Sequence, residues 1–108
     1  MDVTYRMDGR NLIISLSGEL DHHAARTAME AIERWIDQNL PGKTVLDLAG
    51  LSFMDSSGIA VVLQTAKECR NLGCALSVCG VGRQAMRVLS AAGVPKLVPV
   101  TERGRTNV

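Results

Sequence analysis

The sequence predicts an α/β domain: a β-α superhelix with a mixed, mostly parallel sheet, an N-terminal hairpin strand and helices packed on one face. Two observations support this fold class. Segments typical of strands and of helices follow one another in the order β β α β α β α β, and such alternation through short loops indicates right-handed parallel crossovers. The strands also carry bulky apolar residues on one face only, which indicates that the helices cover a single face.

The first two strands form a predicted hairpin. Residues 3–7 (VTYRM) and 12–18 (LIISLSG) are rich in β-formers, and residues 8–11 (DGRN) make a turn of the Asp-Gly type between them. Three more strands are predicted at 44–48, 74–80 and 96–100, and the AGLSFMDS segment is interpreted as the exit loop of the first of these. Helices are predicted at 24–39, 57–71 and 82–92, and the polar tail from residue 101 onward is interpreted as frayed.

Alternation within the strands predicts the layers. Leu12, Ile14 and Leu16 point to one face of the sheet, whereas Ile13, Ser15 and Ser17 point to the other, and the later strands repeat this contrast. A doubly wound sandwich, the competing architecture, has helices on both faces and strands that are nearly continuous apolar runs. One-sided packing is therefore the favoured interpretation.

Each helix has an apolar stripe at helical spacing. On the first helix the stripe is Ala25, Met29, Ile32 and Ile36, with Ala28 and Trp35 beside it; on the second it is Ile59, Val62, Leu63 and Ala66; on the third it is Ala85, Val88, Leu89 and Ala92. Asp21 is the predicted N-cap of the first helix, and Pro41 with Gly42 ends it. Gly73 and Gly93 end the other two helices.

Composition excludes several classes of function. The 108 residues carry a net charge of +1, with 46% apolar and 3% aromatic residues, so there is neither a basic surface for nucleic acid nor a set of aromatic rings for stacking bases. No apolar run approaches the roughly 20 residues that cross a bilayer, and the N-terminus lacks the apolar core of a signal peptide. We therefore expect one cytoplasmic domain spanning residues 1–108, without nucleic-acid or membrane partners.

The three cysteines, Cys69, Cys74 and Cys79, are interpreted as free thiols of a reducing compartment. Their number is odd and no CxxC pair occurs, so buried structural thiols are favoured over a zinc site.

The segment FMDSSG, residues 53–58, raises the question of function because two adjacent hydroxyls lie between a strand and a helix. Asp55 or Ser56 would cap the helix and stabilise it by about 1 kcal/mol, but one cap is enough. The segment lies at the carboxyl end of a parallel strand, where ligands tend to bind, and GELDHH (18–23) lies at the same edge. Asp21 is therefore predicted to lie near Ser56 and Ser57.

Both segments resemble those of bacterial anti-sigma factor antagonists in the STAS-domain family, particularly the sporulation members that oppose the anti-sigma-F factor. The resemblance covers GELDHH, LSFMDSSG (51–58) and the whole order of elements. It implies a β-α superhelix with helices on one face, which agrees with the alternation argument. It further implies that an anti-sigma factor, which is also a serine kinase, phosphorylates Ser56, and that only the unphosphorylated chain binds this kinase and releases the sigma factor.

Within this hypothesis, Ser57 and Gly58 shape the loop, and Asp21 and Asp55 orient it. The exposed side of the second helix contacts the kinase, through the residues Ala60, Val61 and Gln64. ATP is expected on the kinase rather than on this chain, which needs no cofactor, and a phosphatase resets phospho-Ser56. Members of the family often have a further C-terminal helix, for which the tail TERGRTNV leaves little room.

Two other functions remain open. STAS domains also serve as docking subunits of membrane-associated transport assemblies, and the loop would then mediate docking. A small enzyme using Ser56 as nucleophile is disfavoured, because the sequence has neither a G-x-S-x-G elbow nor a visible oxyanion motif. His22 and His23 point in different directions with no third ligand, so a role at the helix start is favoured over a metal site. P-loop and Rossmann glycine spacings are absent.

Overall fold

The structure, a computed structural model, describes residues 1–104. The strands are β1 (Asp2–Asp8), β2 (Asn11–Leu20), β3 (Lys43–Met54), β4 (Ala75–Val81) and β5 (Val100–Glu102). The helices are α1 (His22–Asn39), α2 (Ser57–Leu72) and α3 (Arg83–Ala91), and a 3₁₀ turn, Val94–Lys96, precedes the last strand. Residues 105–108, the end of the tail that leaves little room for a C-terminal helix, lie outside the described residues.

The five strands form one sheet in the spatial order β1-β2-β3-β4-β5. Strands β1 and β2 pair antiparallel around the Asp8↔Asn11 turn, and every later pair is parallel. The predicted hairpin and crossovers are thus confirmed. Because β2 to β5 run parallel, their carboxyl ends lie along one edge of the sheet.

The core lies on one face of this sheet. Leu12, Ile14 and Leu16 of β2 are fully buried, as are Leu46 and Leu48 of β3, whereas the residues that alternate with them are at most half-buried. The helices contribute Ile32 and Ile36 from α1, and Val62 and Leu89 from α2 and α3. One-sided packing of the helices, predicted from the alternation, is confirmed.

Two strand predictions differ from the structure. Strand β3 continues through the predicted exit loop to Met54, because β2 also continues to Leu20 and pairs with it along this length. The last strand is Val100–Glu102 rather than 96–100, since Pro95 and Pro99 cannot donate to a sheet and Val94–Lys96 turns instead. Residues 101 and 102, expected to fray, therefore belong to β5, in which Glu102 pairs with Val81 of β4.

Helix α2 is rotated from the predicted orientation. Its buried residues are Gly58, Val61, Val62, Thr65 and Cys69, because α2 packs against α1 as well as the sheet and its apolar face turns toward both. Leu63, predicted to be inside, is 37% exposed. On α3, Ala92 is likewise exposed instead of buried.

The helix ends follow the predicted signals. Gly73 has φ 74° after α2, and Gly93 has φ 75° after α3, conformations that favour glycine. Beyond Gly73, the Cys74 N–H donates to the Cys69 carbonyl at 2.8 Å, which closes the last turn of α2.

The three cysteines are free thiols. Cys69 is buried, and desolvation raises the pKa of its thiol to about 12. Cys74 and Cys79 are only half-buried, so the prediction of buried thiols holds for one of the three.

Two acidic side chains meet where α1 and α2 pack together. The protonated Glu68 carboxyl donates a hydrogen bond to the Asp37 carboxylate, which raises the pKa of Glu68, with smaller contributions from burial and from the charges of Asp37 and Glu33. The folded state therefore favours protonated Glu68, and stability falls as the pH rises through the pKa of the folded state. At neutral pH the ionised pair opposes helix packing.

We expect Glu68→Gln to raise the free energy of unfolding at pH 7 by about 0.2–0.5 kcal/mol, since the pair is solvent-screened. The gain should shrink as the pH falls through the raised pKa of Glu68, because the wild-type carboxyl then loses its charge. Urea unfolding at a series of pH values measures this. Asp37→Asn is the matched partner variant, and the double variant should add little to either change. A gain that is independent of pH would contradict the explanation.

Candidate functional site

Parallel pairing of β2 with β3 builds the site. The pairing runs to Leu20 opposite Met54, and the Asp55 N–H donates to the Leu20 carbonyl at 3.1 Å. Asp21 and Asp55 each follow directly in sequence, so the two segments that resembled one family in sequence also lie side by side. The predicted proximity of Asp21 to the serine pair therefore follows from the sheet itself.

Asp55, and not Ser56, caps helix α2. The Asp55 Oδ1 accepts from the Ser57 N–H at 2.7 Å, and its carbonyl accepts from the Gly58 N–H at 3.0 Å. Ser56 has φ −63° and ψ −18° and makes no side-chain capping bond. Its side chain is exposed, and its hydroxyl makes no hydrogen bond within residues 1–104. The structure thus separates the capping function from an accessible hydroxyl.

Gly58 lets the turn lie directly on the core. Met54, fully buried, passes beneath it: a Cβ on Gly58 would collide with the Met54 Cγ and lie 2.7 Å from its Sδ. Only a residue without a side chain fits this first turn, which explains a glycine at a helical position that otherwise disfavours it by about 1 kcal/mol. Gly58 shapes the loop through packing, as the sequence analysis expected.

Asp21 caps the neighbouring helix. Its Oδ1 accepts from the Ala24 N–H at 2.9 Å. This hydrogen bond is the main reason why the pKa of the Asp21 carboxyl is lowered. Its N-cap role is confirmed. Within the described chain its carboxylate makes no hydrogen bond to residues 55–58, so the predicted orienting role of Asp21 has no direct hydrogen bond to the serine turn behind it.

The surface that extends from Ser56 along α2 differs from the predicted one. Val61 was predicted to be exposed and to contact a partner, but it is 2% exposed because it faces α1 and the core. Counting helical turns from Ser56 instead reaches Ala60, Leu63 and Gln64, all exposed. Leu63 was missed because two adjacent apolar residues, Val62 and Leu63, both fit a buried stripe. We call the exposed set of Ser56, Ala60, Leu63 and Gln64 the α2 surface.

A shallow cleft separates the starts of α1 and α2. Its volume is about 230 Å³, and its lining combines apolar and basic residues: His22, Ala25, Arg26, Met29, Ser57, Ala60, Val61 and Gln64. The half-buried Ser57 thus lines the cleft, whereas Ser56, the exposed residue before it, is not among the lining residues. A protein partner covering the cleft would contact both helices.

Groups for other chemistry are not gathered at this site. His22 and His23 are exposed and contact each other edge to face, with ring centroids 5.8 Å apart. Within residues 1–104, no three His, Cys, Asp or Glu side chains are grouped so that they could hold a metal ion. Nor is any helix in that range both long and apolar enough to span a bilayer. What the arrangement offers is an accessible hydroxyl at the start of a helix, where an added anion meets the positive end of the dipole.

The STAS-domain family model matches residues 2–105. The chain therefore belongs to the STAS-domain family, as the sequence motifs indicated. It is 37% identical over 89 residues to an anti-sigma F factor antagonist of Paenibacillus polymyxa, a match that covers 82% of this chain and 76% of the relative.

Solved structures agree with this assignment. The anti-sigma factor antagonist SpoIIAA in its unphosphorylated form superposes with a TM-score of 0.79 and 26% identity, over 98% of this chain and 100% of that one. The phosphorylated form of the Bacillus cell fate determinant SpoIIAA gives a TM-score of 0.71 and 27% identity, over 92% of this chain and 90% of that one.

We expect Gly58→Ala to destabilise the protein by about 1–3 kcal/mol, because the added methyl overpacks against Met54. An ordinary helical Gly→Ala change is stabilising by about 1 kcal/mol, so the sign of the effect tests the packing argument. Urea unfolding of the variant measures it. The double variant Gly58→Ala/Met54→Ala should be more stable than Met54→Ala alone, because the added methyl then fills part of the cavity. A Gly58→Ala variant more stable than wild type would contradict the argument.

Proposed function

We propose that this protein is a phosphorylation-controlled anti-sigma factor antagonist that acts in the cytoplasm. Unphosphorylated, it binds an anti-sigma factor that is also a serine kinase, and the bound sigma factor is released. The kinase uses its own ATP to phosphorylate Ser56, after which the antagonist no longer binds. The observation that carries the proposal is the exposed Ser56 hydroxyl, left free by the Asp55 cap. The anti-sigma F factor antagonist among its relatives and its similarity to SpoIIAA support the class of function.

A phosphate on Ser56 acts on the interface more than on the fold. It adds about −1.5 to −2 charges, next to a helix N-terminus that favours an anion by about 0.3–1 kcal/mol. Because Asp55 keeps the cap, the turn does not depend on the serine that is modified. A partner surface shaped for a hydroxyl, however, must desolvate this charge, which costs several kcal/mol. Binding is lost while the domain stays folded.

The α2 surface supplies the rest of the contact. Leu63 is an exposed apolar side chain two turns from Ser56, and Ala60 between them is small enough to allow close approach. A partner that covers Ser56 along the axis of α2 therefore also covers Leu63. Asp21, Ser57 and Gly58 act from behind this surface by fixing where α1 and α2 begin.

An enzymatic role for Ser56 finds no support in its surroundings. A serine nucleophile needs a base within hydrogen-bond reach, and within the described chain neither His22 nor His23 bonds to it. The adjacent Asp55 is committed to the Ser57 N–H. These observations support the proposal that another protein acts on the Ser56 hydroxyl.

We expect Ser56→Ala to bind the anti-sigma factor within about threefold of wild type and to incorporate no phosphate, because only the accepting oxygen is removed. Phosphorylated wild type should bind more than 100-fold more weakly, a loss of about 3 kcal/mol. Calorimetric titration and mass-spectrometric mapping after incubation with kinase and ATP measure both. Ser57→Ala, the matched control, should still be phosphorylated on Ser56. Modification of Ser57 alone, or equal binding of both forms, would overturn the proposal.

Leu63→Ala should weaken binding of the unphosphorylated protein about tenfold, since it removes an apolar contact next to the serine. Leu72→Ala is the matched control: Leu72 is 45% exposed at the far end of the same helix, and its truncation should leave the affinity unchanged. Equal effects of the two substitutions would mean that the partner does not follow the α2 surface.

A further inference from the structure

The last part of β3 has a neighbouring strand on one side only. Its pairing with β4 ends at Asp47↔Cys79, whereas its pairing with β2 continues to Leu20↔Met54. In a parallel sheet, the N–H and the carbonyl of one residue both point to the same neighbouring strand, and those of the next residue point to the opposite side. The Leu20 carbonyl takes the Asp55 N–H, so the N–H and carbonyl of Met54 itself point away from β2, toward the edge without a strand.

The side chain of Gln84 takes the place of the absent strand. Its Oε1 accepts from the Met54 N–H at 2.9 Å, and its Nε2 donates to the Met54 carbonyl at 2.7 Å. One amide side chain thus satisfies both polar groups of one residue, as a neighbouring peptide group would. Further back, the Arg103 guanidinium donates to the Leu51 carbonyl at 3.1 Å on the β3 segment that β4 does not reach.

Met54 transmits this attachment to the serine turn in two ways. Along the chain it is followed at once by Asp55, whose carboxylate caps α2. Through space its buried side chain lies in contact range beneath Gly58, at the start of the same helix. The main chain of Met54 therefore fixes the position of the turn that follows β3, and its side chain fixes the position of the first turn of α2.

We infer that Gln84 is a positioning residue for the Ser56 turn: its amide holds the end of β3 from α3, and so sets how Ser56 is presented to the kinase. This inference rests on the proposed function for its kinase step, whereas the attachment of the turn concerns the free protein alone. Within residues 1–104 the Gln84 amide makes its hydrogen bonds to Met54 and none to Ser56 or the α2 surface, so the inferred effect on the turn runs through Met54.

The test uses two substitutions of different chemistry. In Gln84→Ala both bonds are lost. In Gln84→Glu the ionised carboxylate still accepts from the Met54 N–H but cannot donate to the Met54 carbonyl, which it repels. Hydrogen exchange of backbone amides in the free protein should show the Met54 amide exchanging at least about tenfold faster in Gln84→Ala. In Gln84→Glu, acidification should restore protection, because the protonated carboxyl can donate to that carbonyl.

The functional readout is the rate of Ser56 phosphorylation by the anti-sigma factor kinase of the same organism with ATP. Both variants should fall about tenfold in kcat/KM at neutral pH. Ile32→Val is the matched control, because it removes one buried methylene from the core under α1, leaves both Gln84–Met54 hydrogen bonds in place and should leave the rate near wild type. A similar loss in Ile32→Val would show that general stability, and not the placement of the turn, limits phosphorylation.

Each remaining outcome decides the inference. Unchanged exchange of the Met54 amide in Gln84→Ala would overturn it, as would faster exchange with a wild-type rate of phosphorylation. If wild type itself accepts no phosphate, the proposed function fails, and the exchange data by themselves decide whether Gln84 sets the turn.

Discussion

The site depends on the parallel pairing of β2 with β3 as far as Leu20 and Met54. This pairing ends both strands at the same level, so the residues that follow, Asp21 and Asp55, begin two adjacent helices from one edge of the sheet. If either strand ended two residues earlier, the helix starts would separate and the cleft between α1 and α2 would lose one wall. The hydrogen bond from the Asp55 N–H to the Leu20 carbonyl is the last one between the two strands, and it also holds together the two segments that form the site.

Capping and the proposed modification fall on different residues of one short turn. Many helix N-termini use a serine hydroxyl as the cap, and a phosphate on such a serine would remove the bond that starts the helix. Here the Asp55 carboxylate makes that bond, and Ser56 is free of it. A charge can therefore be added at the surface at little cost to α2, so the proposed switch needs no second conformation of the domain.

The sequence predicted the class of fold and the neighbouring positions of the two candidate segments because both depend on local patterns. Hydrophobic alternation determines the facing of Leu12 and Ile14, and the Asp21 cap follows from residue type and place. The prediction of which side of α2 is buried was wrong for Val61 and Leu63. Val61, Val62 and Leu63 are all apolar, and only the position of α1 in the folded domain decides which of them is covered. The full length of β3 was missed for a related reason, since Gly50 and Ser52 are poor strand formers that pairing with β2 overrides.

Gln84 shows most clearly why a local pattern cannot reveal every site residue. In sequence it is one polar residue in the first turn of α3, where solvent exposure is the ordinary expectation. Its role arises because pairing with β4 stops short of the end of β3, so an amide side chain 30 residues away bonds the N–H and carbonyl of Met54 where a strand is absent. Such complementarity depends on the lengths of two strands and the start of one helix together. The features that place Ser56 are thus distributed over β2, β3 and α3, whereas those that make it a candidate for modification lie within four adjacent residues.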